Sequence, residues 1–292
     1  MFSSKLSMRE VRFHIVAALV LMSGVFVRAQ QEPAISASAH ELVQRAVQNE
    51  LKASESSSHY MYLVRKQTPQ GSSLKQVAET KDGEVSYLLK MNDEPLTPEQ
   101  RSIEDEKMQK LLNNPDEQRR RLKNQKEDEK RAATLVRALP DAFIYEFDKP
   151  DAGQPADTVK LKFRPNQSFN PPDREMQVLT GMSGSMYLDT KANRMQRLDG
   201  TLIDDVNFGW GIFGKLHKGG HFEIQEKDVG DGHWDVTYRN LDFTGKVLLF
   251  KKLRIKETSE MSDFHKIPDN LSFTQGFDLL RKENQTKLSA KR

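Results

Sequence analysis

The sequence predicts an α+β fold in which an antiparallel sheet carries an N-terminal helix and an inserted helical hairpin. Three observations point there. From residue 142 onward, runs such as "TVKLKFRP" and "GDGHWDVTYRNLDF" alternate apolar and polar residues at the period of a half-buried strand. The turn signals "GDGH" and "FTGK" fall between consecutive runs, at the spacing of an antiparallel meander. No helical pattern long enough for a crossover separates these runs, which excludes a doubly wound parallel sheet.

Residues 1–29 read as a secretory signal. Lys5, Arg9 and Arg12 form a basic segment, "IVAALVLMSGVFV" (Ile15 to Val27) is apolar and uncharged, and Val27-Arg28-Ala29 puts small residues at the cleavage positions. The apolar run is shorter than the ~20 residues of a spanning helix. The segment holds Lys5, Arg9, Arg12 and Arg28 against Glu10, which is the whole of the chain's net +3. The processed chain is therefore near neutral and gives no support to nucleic-acid binding. The expected location is exported, periplasmic or secreted, after cleavage near Ala29. The sequence has no cysteine, so stability rests on a core, and thiol chemistry and Cys-ligated metals are excluded.

Residues 30–292 are expected to form one domain, with a flexible tail over 278–292. Ser38 and Glu41 fit a capping box, and Leu42, Val43, Ala46, Val47 and Leu51 make an apolar stripe at helical spacing. "HYMYLVRKQ" and "EVSYLLKMN" read as strands, with the Asp-Gly turn "KDGE" before the second. Residues 97–139 read as a charged helical hairpin. Thr97-Pro98-Glu99-Gln100 starts the first helix, Asn114-Pro115 starts the second, and Pro140 stops it. Mixed charge signs around Arg119–Arg121 mark a solvated face rather than a nucleic-acid-binding arm. Strands follow to the end, the last being "LSFTQGF".

"GWGIFGKL" contains Gly209, Gly211 and Gly214 at the spacing of a dinucleotide fingerprint, and Gly209, Gly214 and Lys215 match most of a phosphate-binding loop. Both motifs need a helix after the loop. Here "KLHKGGHFEIQ" follows, and Leu216 replaces the magnesium-binding hydroxyl. No nucleotide is expected. The glycines instead permit bends, and Phe208, Trp210 and Phe213 either plug the end of the sheet or line a cavity. Tyr87, Phe163, Tyr187 and one of Met61 and Tyr62, since neighbours on a strand face opposite sides, complete the candidate apolar lining.

His217 and His221 would need a helix to share a metal; on a strand they stand ~13 Å apart. With His233 they read as surface histidines, and neighbouring Asp204 and Asp205 point to opposite faces. No metal, cofactor or catalytic set is expected. Asn166, Asn270 and Asn284 sit in N-x-[ST] sequons, relevant only where exported chains are glycosylated.

The segments "LTGMSGSMYLDTKANRMQRLDG" and "TGKVLLFKKLRIKE", in this order of parts, resemble the periplasmic lipoprotein-carrier superfamily: the outer-membrane lipoprotein-sorting proteins and related envelope-stress sensor domains. The resemblance is one of layout over residues 36–265, and no family binding residue matches a position here. It implies a curved, incomplete barrel covered by helices, with an apolar cavity for acyl chains. The expected function is a non-enzymatic binding protein for an apolar small molecule or acyl chain, with peripheral membrane contact. The alternative is an envelope interaction or sensor domain that docks a partner protein by its hairpin and has a filled barrel.

Overall fold

The computed structural model describes residues 37–55, 58–208, 214–247 and 251–289, with side chains through 284. The sequence-based expectations for residues 1–29, Trp210 and Phe213 lie outside these. Helix α1 (Ala39–Ala53) precedes strands β1 (His59–Thr68), β2 (Gly71–Ala78), β3 (Val85–Met91) and β4 (Glu94–Pro95). The hairpin is α2 (Pro98–Leu112) and α3 (Pro115–Ala142). Then come β5 (Phe143–Phe147), β6 (Thr158–Pro165), a 3-10 turn (Glu175–Gly181), β7 (Met182–Asp189), β8 (Arg194–Leu202), β9 (Val206–Phe208) and β10 (Gly214–Leu216). Finally β11 (His221–Asp228), β12 (Trp234–Val247), β13 (Lys251–Ile267) and helix α4 (Phe273–Ser289) complete the described chain.

All thirteen strands join one curved antiparallel sheet, in the order β4-β3-β2-β1-β13-β12-β11-β8-β7-β6-β5, with β10 and β9 branching from β12. It is α+β and open: β4 and β5, at the two ends of the order, do not pair. The chain that joins those two edges is the α2–α3 hairpin, which thus connects the two sides of the opening. Edge strand β4 is only two residues long and carries Pro95, which blunts it against further pairing.

Two packed regions hold the layers. Strand alternation puts Leu161, Met186 and Leu198 opposite one another across β6, β7 and β8, all buried. The α1 stripe of Leu42, Val43, Ala46 and Val47 is buried, and α1 touches α3 as well as β5, β7 and β8. Each Leu, Val or Met among them contributes about 1.5–3 kcal/mol by leaving water. The second region lies under α4, where Phe273, Phe277 and Leu280 pack with Met61, Ala78, Val85, Met108 and Leu111.

The hairpin starts as its sequence predicts. Thr97 and Gln100 form a reciprocal capping box, and the Asn114 side chain accepts from the Glu117 N–H. Other expectations need correction. Pro140 lies inside α3, which ends two residues later; the helix end is closed by Asn166, whose backbone N–H donates to the Ala142 carbonyl and whose side chain donates to that of Asp141. "GSSLKQVA" is a strand, β2, so "KDGE" joins β2 to β3 rather than following β1. The "FTGK" segment lies within β12, not between strands: a Cβ on Gly245 would stand 2.2 Å from the Lys215 carbonyl oxygen, so glycine there admits β10. "LSFTQGF" enters α4 rather than a strand. Ser272 and Gln275 cap it reciprocally, and residues 278–289, expected as tail, continue the helix.

Candidate functional site

A chamber of about 740 Å³ lies between α3, the C-terminal turn of α1 and one end of the sheet. Its helical wall is one face of α3: Leu122, Gln125, Lys126, Glu129, Ala132, Ala133 and Val136 recur at the three- and four-residue spacing of a helix stripe. Leu51 of α1 and Met195, Trp234 and Val236 of the sheet add apolar surface. The remaining wall is charged. Strand ends and turns bring Glu79, Glu84, Arg194, Glu226, His233 and Asp235 together with Glu50 of α1. Gly83, at φ 106°, makes the turn between Glu79 and Glu84, a backbone state that favours glycine.

Arg194 opens β8 and organises the charged end. Its Nε and Nη2 donate to the two Glu50 oxygens at 2.8 and 2.5 Å, and Nη2 lies 3.8 Å from Glu226. The guanidinium also sits 5.7 Å from the Trp234 ring centre. The Met195 N–H donates to Glu50 at 3.0 Å, and the Asn49 side chain donates to the Asn193 carbonyl. Glu79 accepts the Tyr60 N–H at 2.7 Å, and the Tyr60 ring stacks on His233 at 4.1 Å.

These carboxyls do not behave as surface acids. Burial pushes Glu226 up to about 8, with the Glu50 charge adding to it, and pushes Glu79 up to about 7. Burial also raises Glu84 and Asp235, although the Val236 N–H and His233 act the other way on Asp235. Near neutral pH the chamber thus holds carboxyls that can donate hydrogen bonds, beside others that accept them.

The described aromatic candidates from the sequence do not gather at this chamber. Met61 packs under α4, and Phe163 packs against Phe143 with ring centres 4.7 Å apart. Tyr62 stacks on Phe264 at 5.0 Å. Tyr87 donates its hydroxyl to Asp105, and burial raises its pKa to about 12. Tyr187 donates to Asp151 and lies between Lys160 and Arg197 on a second depression, of about 590 Å³. Phe208 is half-buried on β9, opposite Gly214. The sequence placed Leu51 only on a helix stripe and His233 only at the surface, and the chamber's other charged groups escaped the sequence reading because they come from the ends of strands far apart in the chain. The one signal was Trp234, one of two tryptophans, beside the "GDGH" turn.

Gly214 enters β10, not a helix, so the strand–turn–helix setting of a nucleotide loop is missing. His217 pairs with Asp205 at 3.8 Å, and Lys215 takes the same carboxylate at 2.7 Å. His221, Asp199 and Glu223 bring their ligand atoms within 4.8 Å of one another. Arg197 binds both of those carboxylates, Asp199 at 2.6 Å and Glu223 at 2.8 Å, so the trio is an ion-pair network. Among the described residues no helix is long and apolar enough to cross a membrane. The geometry defines the class: an open α+β antiparallel sheet with helices, and a chamber beneath α3 that is open to solvent on one side. No protein-family model matches the chain, and no curated protein does.

Proposed function

We propose that the protein is a non-enzymatic binding protein that holds a small ligand with an apolar body in the chamber beneath α3, and that it works outside the cytoplasm after residues 1–29 are removed. The chamber carries this reading. Its volume falls within the roughly 300–1,000 Å³ of ligand pockets, and its walls combine an apolar face with a few convergent polar groups. The layout-level resemblance to the lipoprotein-carrier superfamily supports an acyl chain as the apolar part. The charged end adds a condition. A ligand group that reaches Glu79 and Glu226 must be a hydrogen-bond donor or a cation, because an anionic head would meet carboxyls there.

Val136→Trp places an indole in the chamber from the helical wall. It is expected to weaken uptake of a neutral, environment-sensitive fluorescent probe by roughly tenfold or more, a loss of about 1.4 kcal/mol. An unchanged circular dichroism spectrum and melting temperature show that the fold survives. Equal uptake by the variant and the wild type would place the ligand elsewhere.

Export is tested on material recovered from the producing cells. N-terminal sequencing is expected to begin at Gln30, and residues 15–27 retained in a membrane fraction would contradict it.

A second reading, docking of a partner protein by the α2–α3 hairpin, has one observation in its favour. Ile103 on α2 is 65% exposed, an apolar group standing on a charged helix.

A further inference from the structure

Glu50 and Glu226 share a single guanidinium. The side chains of Arg194 and Glu50 are each 11% exposed, and that of Glu226 is 15% exposed. One buried cation cannot balance two buried carboxylates, so one of the pair must keep its proton. Both Glu50 oxygens already accept, from Arg194 and from the Met195 N–H. Glu226 stands farther from the guanidinium and is hydrogen-bonded to Glu50. The shared proton therefore sits on Glu226, which donates it to Glu50.

We infer that this shared proton is a latch that holds the C-terminal turn of α1 against the chamber, and that loss of the proton from Glu226 releases the turn. The inference rests on the chamber being the ligand site, and it adds how access to that site is controlled. The turn is built to move by itself. The buried residues of α1 are Ala39, Leu42, Val43, Ala46 and Val47, all in its earlier turns. From Asn49 onward the helix has no fully buried apolar residue, Leu51 and Ala53 being half-buried, and its hydrogen-bonded tie to the sheet is polar: Glu50 to Arg194 and Met195, and Asn49 to Asn193. Glu50, Leu51, Ala53 and Ser54 line the chamber, so release of this turn widens it.

Groups from every neighbouring element bear on Glu226. Glu50 of α1 faces it directly, Arg194 of β8 lies 3.8 Å away, and the charge of Asp235 of β12 acts on it from farther off. Around the same chamber stand His233 of the β11–β12 turn, His59 of β1, Glu79, Lys81 and Glu84 of the β2–β3 link, and Lys126 and Glu129 of α3. Glu50 and Asp235 raise the cost of ionising Glu226, Arg194 lowers it, and burial is the largest influence. The direction of the pH effect follows. The folded value, about 8, lies above the ordinary 4.5, so the unfolded chain gives up this proton first. The stability this group contributes is full below pH ~4.5 and is lost as pH rises toward ~8. Glu79, raised to about 7, acts in the same sense. The latch is tight in acid and slack in mild alkali.

Amide hydrogen exchange of the processed chain between pH 5 and 9, corrected for the intrinsic pH dependence of exchange, reads the turn directly. Uptake of the neutral probe is measured in parallel. The wild type is expected to lose protection at residues 49–53 by on the order of tenfold between pH 6 and 9, while residues 42–47 stay protected. Glu226→Gln, which keeps a donor to Glu50, should hold protection high across the range, whereas Glu226→Met, with neither donor nor charge, should give lower protection that does not change with pH. Flat wild-type protection overturns the latch, and so does a wild-type-like loss in both variants. Absence of probe uptake at every pH refutes the chamber as ligand site, and the exchange profile then decides the latch alone.

Discussion

Arg194→Met is expected to destabilise the protein by about 3–5 kcal/mol at pH 8, the cost of leaving a buried carboxylate without its partner. The variant strips Glu50 of two charge-assisted hydrogen bonds, at 2.8 and 2.5 Å, and takes from Glu226 a guanidinium that lies 3.8 Å away. It also removes the guanidinium over Trp234. The penalty should shrink at pH 5, where Glu226 keeps its proton and is no longer a buried charge. Urea unfolding at the two pH values measures it. A loss that is small at both would mean that Arg194 is a solvated surface pair worth ~1 kcal/mol or less. A loss that is large and equal at both would mean that the guanidinium acts by packing rather than by charge.

Phe277→Ala is the second large effect, at about 3–5 kcal/mol. Phe277 is 2% exposed and packs with Met61, Val85 and Leu280, its ring centre 6.4 Å from that of Tyr87. The cavity left would lie between α4 and the β1–β3 part of the sheet, which cannot collapse without moving the helix. Leu279→Ala, on the half-buried side of α4, should cost much less. The pair separates a docked C-terminal helix from a tail, since a tail would tolerate both changes within ±0.5 kcal/mol. Chemical unfolding with an unchanged m-value is the measurement.

The parts of the fold that were legible in the sequence are those written locally. Thr97 with Gln100, and Asn114 with Pro115, announced two helix starts because a cap satisfies orphan N–H groups within one turn. The Asp231-Gly232 pair marked the β11–β12 turn, where both residues have positive φ. Strand β2 was not legible. "GSSLKQVA" has poor intrinsic strand propensity and is held by its place between β1 and β3. Helix α4 carried a signal that alternation masked: Ser272 and Gln275 as a capping box, then Phe273, Phe277 and Leu280 at helical spacing.

The chamber was less legible than the fold. Large aromatics among glycines suggested an apolar lining, but Met61 and Phe163 are more useful to two packed cores than to a cavity wall. The polar end is assembled by sheet order, which sets β8 beside β11 and β1 beside β13, and by α1 folding over the seam. No short window of sequence contains that information. A buried Glu looks the same in text as a solvated one, and only the shared guanidinium distinguishes Glu50 and Glu226 from their many surface counterparts.

Native mass spectrometry of the processed protein, purified from its producing cells without denaturation, tests the central claim most directly. The account predicts a bound small molecule that leaves when the chain unfolds, is missing from Val136→Trp, and competes with the neutral probe. The mass of the bare chain, together with a wild type that takes up no neutral apolar probe at any pH from 5 to 9, would contradict it.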